Sequence, residues 1–298
     1  MKQRSFASLS FESKKGLAVR AMVRTLDERA TALSDMGAEV TVGDYADYGS
    51  LLGALHSIES AYFCYPVGAG IAEAAGLFAT AGRKQGLKRI VDLSLAATRP
   101  DSPSPQGRAQ RVAEQIFEWA GFEGVHLRIA AFFMENVTLM DGPSISTGGE
   151  IANAFGDLPL GWISGADVGQ MAAQILANLG LVTERTIIAG GAEQLSYPDL
   201  AKIITDVVGK PVTYRELSPE EWRKRLVDAS AAKGEANPRG ADHLVAQSIA
   251  LRKSPFMPVT DHVKRLTGHA PISFAQFVAS RRDELTPQPH TDKLVGRP

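Results

Sequence analysis

From Leu17 onward, short apolar runs alternate with longer stretches whose apolar positions recur at helical spacing. Val19-Arg-Ala-Met-Val-Arg24 reads as a strand. Thr25-Leu-Asp-Glu28 behind it has the form of a capping box, in which a hydroxyl and a carboxylate satisfy two orphan amides. The helix so predicted runs to about Met36, where Gly37 can end it. Ala38 to Val42 is the next strand, and Asp47 can cap a helix carrying Leu51, Leu52, Leu55 and Ile58. Ala61 to Tyr65 is nearly all apolar, as a strand buried on both faces should be. A helix over Ile71 to Gln85, a strand over Arg89 to Ser94, a helix over Arg108 to Ala120 and a strand over Val125 to Ile129 complete the series. Strands alternating with helices of this length predict right-handed βαβ units and a parallel sheet.

The rhythm then changes. Phe132 to Asp141 reads as a short helix or loop, Asp167 to Leu179 as a helix, and Thr186 to Ala189 as a short strand. Three helix starts carry strong signals: Ser196-Tyr-Pro-Asp199, Ser218-Pro-Glu-Glu221 and Ser273-Phe-Ala-Gln276. Lys233 to Asp242 reads as a polar loop. The expected fold class is α/β: a Rossmann-type doubly wound parallel sheet, shortened at its N-terminus, with a smaller α/β C-terminal part. Residues 1–16 form an atypical N-terminal segment and 17–130 the Rossmann-like domain. Residues 160–190 are expected to pack back on that domain, 131–285 to form the C-terminal region, and 286–298 to be a disordered tail.

Composition narrows the function. The 298-residue chain is 44% hydrophobic and 22% charged with a formal net charge of −1, so no global field draws in nucleic acid or an anionic membrane. No apolar run approaches the roughly 18 residues of a membrane span. The expected partner is a small molecule, with the chain a monomer or homodimer. A single cysteine, Cys64, excludes an intrachain disulfide and a multi-cysteine metal site, and its apolar neighbours suggest a buried core thiol. The first 24 residues hold six Lys or Arg against one acid, Glu12. That composition resembles a mitochondrial transit peptide, but a rearranged or shortened start explains it as well, and a cytoplasmic location is expected.

Dinucleotide sites need backbone amides at a helix N-terminus, reached through glycines. The strand and glycine-rich turn that would open such a fold are missing before Leu17. Gly68-Ala-Gly70 with Asp92 further on imitates the fingerprint, but Glu73 puts a carboxylate where a phosphate would bind. Arg24 falls at the end of the second strand of such a fold, where arginine accommodates the 2′-phosphate of NADP; a solvated surface arginine is the alternative. Asp44 lies where an adenine would be met, and Ser94 ends a strand at the ligand-binding edge. No Tyr-x-x-x-Lys stands between Ser94 and Gly121. The six histidines lack metal spacing, and His126 reads as a core or edge histidine.

Ala131-Phe-Phe-Met-Glu-Asn136 resembles a run of the NmrA-like family of atypical short-chain dehydrogenases. So do Val19 to Arg24, Gly43-Asp-Tyr-Ala-Asp-Tyr-Gly-Ser-Leu51, Glu114 with Gly121, Ser196-Tyr-Pro-Asp-Leu, Gly209-Lys-Pro-Val and Leu266-Thr-Gly-His-Ala-Pro. The resemblance spans roughly Leu17 to Arg282. It implies that the smaller α/β C-terminal part, residues 131–285, is a substrate-binding region or substrate domain, and it implies a cofactor, NADP with NAD possible. It places Arg24 at the 2′-phosphate, Asp44 at the adenosine, and Tyr65, Pro66 and Ser94 on the nicotinamide side. Phe133, Met134 and Asn136 would separate cofactor from substrate, and Phe133 would touch both. The expected function is an NADPH-dependent reductase of a conjugated or aromatic small molecule, with water or Ser94 protonating the product. The alternative is a non-catalytic nucleotide sensor or partner-binding protein, or a relative without cofactor. Three departures stand out: the missing glycine turn, Ile129 in place of the family's proline, and Gln110 in place of its His or Lys.

Overall fold

The computed structural model describes residues 18–288 apart from 131, 233, 235 and 254–257. The expectations for residues 1–16 and for 289–298 of the tail therefore lie outside the described residues. The first half alternates β1 (Arg20–Val23), α1 (Glu28–Asp35), β2 (Glu39–Val42), α2 (Tyr48–Ala54), β3 (Ser60–Phe63), α3 (Ile71–Gln85), β4 (Arg89–Leu95), α4 (Pro105–Trp119) and β5 (Glu123–Ile129). The second half contains β6 (Phe132–Phe133), a π-helical turn over Val137–Asp141, α5 (Gly142–Gly148), β7 (Glu150–Asn153) and β8 (Leu160–Ile163). It continues with α6 (Gly165–Ala177), β9 (Thr186–Ala189), β10 (Glu193–Leu195), α7 (Tyr197–Val208), β11 (Thr213–Glu216), α8 (Pro219–Ala231) and α9 (Pro238–Lys253). Three short helices follow: α10 (His262–Thr267), α11 (Phe274–Ser280) and α12 (Arg282–Leu285).

All pairings in the first half are parallel. Among the described residues they fall into two groups: β1 with β2, and a four-stranded sheet in the order β3-β4-β5-β9. A Rossmann sheet is ordered 3-2-1-4-5-6. Among the described residues, the break between β1 and β3 falls where the first strand of such a sheet lies. Side chains join the groups across it: Met22 of β1 and Tyr45 after β2 share an apolar cluster with Phe63, Phe78 and Phe117. The Tyr45 ring meets Phe63 edge-on at 5.0 Å. Its buried hydroxyl accepts from the Cys64 amide, and burial pushes the phenol well above its ordinary value. Cys64 itself is half-buried rather than sealed in the core.

Local signals explain most element ends. Helix α3 runs between Gly70 and Gly86, both left-handed (φ 94° and 81°), and lays Ile71, Ala74, Ala75 and Phe78 into the core. The boxes at Ser196, Ser218 and Ser273 all form, with Asp199, Glu221 and Gln276 returning the bond. The box expected at Thr25 does not. Asp27 is the cap of α1, its carboxylate accepting from the Arg29 and Ala30 amides. A carboxylate one residue from the helix outcompetes a hydroxyl three residues away because it spans two first-turn amides at once. The expected loop over Lys233 to Asp242 is also corrected: α9 begins at Pro238, whose missing N–H suits a first helical position. The residues its first turns bury are small or polar (Gly240, Ala241, His243), so the start of the helix carries little apolar periodicity.

The remaining residues build a second core around Trp162, Phe155, Tyr197, Trp222 and Phe274. Two parts of this half return to the first sheet. β9 pairs with β5, and α6 shares a core with Val91, Leu93 and Leu127.

Candidate functional site

Three sequence-predicted residues lie at the carboxyl ends of the first three strands. Arg24 directly follows β1, Asp44 lies two residues past β2, and Tyr65 two past β3. Burial raises the Tyr65 phenol, and its hydroxyl also feels the charges of Asp44, Glu73 and Arg24, the arginine opposing the acids. That hydroxyl donates to the Ala69 carbonyl at 3.0 Å. Gly70 makes the arrangement possible: its φ is +94°, and a Cβ there would meet the Tyr65 hydroxyl at 2.8 Å. Asp44 is fixed from both sides. Its Oδ1 accepts from the Ala46 amide at 2.9 Å, and its own amide donates to the Ser50 hydroxyl at 3.0 Å. Among the described residues, no side chain caps the adjoining N-terminus of α3.

Ser94 lies in a different environment, sealed beneath α4. Its hydroxyl donates to Glu114 at 2.6 Å and lies 3.1 Å from the Thr98 hydroxyl. The Glu114 carboxylate is fully buried and takes two bonds from Arg128, at 2.8 and 2.6 Å, and one from Arg111 at 3.1 Å. Burial alone would raise Glu114, but Arg128 and Ser94 hold it below the usual carboxylate range. With a charged acceptor at 2.6 Å, the only Ser94 proton is committed to Glu114 and Thr98 is the donor to Ser94.

Glu114 belongs to a row on the inner face of α4. Gln106, Gln110 and Glu114 follow one another at four-residue spacing and are all buried. Gln106 Oε1 accepts from the Gly68 amide at 3.2 Å, tying α4 to the turn after β3, and Gln110 Nε2 donates to the Leu93 carbonyl at 3.1 Å. Gly107 lets the helix come this close, since a Cβ there would lie 2.5 Å from the Ala97 carbonyl oxygen. The inner face therefore offers two neutral amides and an engaged carboxylate. Pro66 is half-buried in the turn that Gln106 holds.

A second polar chain runs deeper. His126 Nδ1 lies 2.5 Å from Asp92 and Nε2 lies 3.2 Å from Glu118. Burial drives the Asp92 carboxyl up. Burial also works against the imidazolium, yet Asp92, Glu114 and Glu118 hold His126 above its ordinary value. Ligand atoms of Asp92, Glu114 and His126 lie within 4.8 Å of one another. Two guanidiniums already compensate this cluster, Arg111 bridging Glu114 and Glu118 while Arg128 clamps Glu114.

Phe133, Met134 and Asn136 are divided between the two cores. Phe133 packs with Leu93, Ile129 and Ile163 at the end of the sheet, whereas Met134 faces the aromatic core of the second half. Asn136 is the N-cap position of the π-helical turn. Between Met134 and Asn136, the Glu135 carboxylate takes the Gly165 amide at 2.9 and 3.0 Å, pinning the start of α6. Sequence reasoning missed Gln106, Ser104 and His243. The four-residue spacing through Gln110 to Glu114 was available for the first. Nothing short of recognising α9 would have found the last.

Parallel strands alternating with helices, with polar residues gathered at the strands' carboxyl ends, define a Rossmann-type α/β fold. The chain belongs to the NmrA-like family, which matches residues 4–237. It is 25% identical over 262 residues to an NAD(P)H azoreductase of Xenophilus azovorans, covering 88% of both chains. Its fold is similar to that of an NADPH-dependent quinone oxidoreductase from Escherichia coli solved with NADPH (TM-score 0.74, 23% identity, 93% of this chain and 98% of that one). It is also similar to NmrA, a negative transcriptional regulator solved with NAD (TM-score 0.69, 16% identity, 95% and 94%). Among the described residues, no helix is long and apolar enough to cross a membrane.

Proposed function

We propose that this chain binds NADPH, or less favourably NADH, and reduces a conjugated or aromatic small molecule. The observation that carries the reading is the placement of Arg24, Asp44 and Tyr65 at the carboxyl ends of β1 to β3, with the charges of Arg24 and Asp44 both acting on the Tyr65 hydroxyl. This donor set fits the adenosine end of the cofactor. Arg24 brings the positive charge a 2′-phosphate requires, Asp44 is held rigidly enough to take an adenosine hydroxyl or amine, and Tyr65 with Pro66 walls the turn between them. When bound, the cofactor supplies a hydride from its nicotinamide. The residues of the chain orient and enclose: Gln106 fixes the turn after β3, and Phe133 shields the sheet end from water. Ser94 acts as the middle of a hydroxyl relay, passing the Thr98 orientation on to Glu114, and water protonates the product. The similarity to azo and quinone reductases supports an acceptor of that kind.

A second reading has its own observation. The inner face of α4 carries neutral amides and no titratable donor, which suits a protein that binds the nucleotide without turning it over. Fluorescence titration with NADPH followed by turnover of a quinone or azo dye separates the two. Saturable binding with turnover is expected. Binding without turnover would establish sensing, and a folded protein with no binding below millimolar concentration would end both readings.

A further inference from the structure

Four segments meet over the carboxyl ends of β3 and β4: the turn after β3, the loop after β4, the N-terminus of α4, and α9. Asn237, just before α9, donates from Nδ2 to the Val67 carbonyl at 2.9 Å, and Gln106 holds the adjacent Gly68 amide. The junction is polar yet closed: Thr98, Ser102, Ser104, Gln106 and His243 are all buried. His243 Nδ1 lies 2.6 Å from the Ser104 hydroxyl oxygen. That oxygen, as the cap of α4, accepts from the Gly107 amide, and the one acceptor its own proton meets among the described residues is His243 Nδ1. Nδ1 is then the acceptor, and the imidazole must carry its proton on Nε2. Nε2 has no hydrogen-bond partner among the described residues and is not sealed from solvent.

We propose that His243 is a substrate-binding residue, a neutral imidazole whose Nε2–H takes a neutral hydrogen-bond acceptor of the substrate, such as a quinone carbonyl or an azo nitrogen. The location is the ligand-binding edge of an open α/β sheet. Burial without a carboxylate partner pushes His243 down to about 4, so the ring stays uncharged at neutral pH. An uncharged donor polarises a carbonyl without requiring an anion in the site. This inference rests on the reductase reading only for where the substrate enters; the tautomer and the binding are separable from it.

The test uses the whole chain with 15N-labelled histidine and menadione as probe, with 2-methylnaphthalene as its carbonyl-free counterpart. Nitrogen shifts should show His243 unprotonated at Nδ1 and protonated at Nε2, and menadione should shift the Nε2–H signal. His243→Phe should weaken menadione roughly tenfold, the worth of one hydrogen bond, and leave 2-methylnaphthalene unchanged. Ser104→Ala keeps the ring but frees its tautomer, so a smaller loss is expected there, and this variant serves if His243→Phe does not fold. A proton on Nδ1, or equal menadione affinity in wild type and both variants, would overturn the proposal. Failure to bind NADPH would end the reductase reading while these histidine readouts remain decisive.

Discussion

Asp141 gives the sharpest stability prediction. It ends the π-helical turn, is buried, and is pushed up to about 7 by burial, against a small opposing effect of the Arg225 charge. The unfolded chain releases this proton near the ordinary value of 3.8, while the folded chain keeps it to about 7. Between those values the native state binds more protons, so stability falls as pH rises from about 4 to about 7 and is level above. Three pKa units at about 1.4 kcal/mol each give roughly 4 kcal/mol lost by pH 8. Asp141→Asn keeps the shape and removes the ionisation. At pH 4.5 the variant should melt within a degree or two of wild type. At pH 8 it should melt higher by roughly 5 °C, allowing about 2 °C per kcal/mol at this length and some cost for the buried amide. Differential scanning fluorimetry across pH 4.5 to 8.5 reads the gap directly. An Asn variant less stable at pH 8 than at pH 4.5, relative to wild type, would mean that Arg225 holds a true carboxylate and that the burial argument is wrong.

Other substitutions test the site's framework. Glu114→Gln strips the charge from a fully buried carboxylate and leaves Arg128 uncompensated; a loss of roughly 3 kcal/mol is expected by chemical denaturation, and less than 1 would show the clamp to be inert. Gly70→Ala forces a Cβ to 2.8 Å from the Tyr65 hydroxyl at a φ of +94°, and should cost roughly 1–3 kcal/mol while altering the Tyr65 environment by fluorescence. An unchanged melt would mean the turn after β3 relaxes freely.

Much of the fold was legible because its signals are local. Helix α3 could be bounded by its two glycines, and α7, α8 and α11 by capping boxes that need only four residues to work. What stayed hidden depends on distant partners. Strands β7 and β8 are four residues long and are specified by their neighbours β11 and β10. The start of helix α9 buries small and polar side chains, Gly240, Ala241 and His243, so this part of its buried face looks like a surface in sequence. The same holds in the site. Arg24, Asp44 and Tyr65 could be placed by counting from strand ends. The inward turn of Ser94 toward Glu114 required knowing that α4 lies across β4 with Gly107 at the crossing.

The central claim is that the carboxyl ends of β1 to β3 form a seat for a phosphorylated adenosine. Calorimetric titration of wild type and Arg24→Glu with NADPH and NADH tests it most directly. The loss of one charge-assisted contact predicts that the variant weakens NADPH by roughly 1.5–3 kcal/mol and leaves NADH nearly unchanged. Equal weakening of both nucleotides, or none of either, would contradict it.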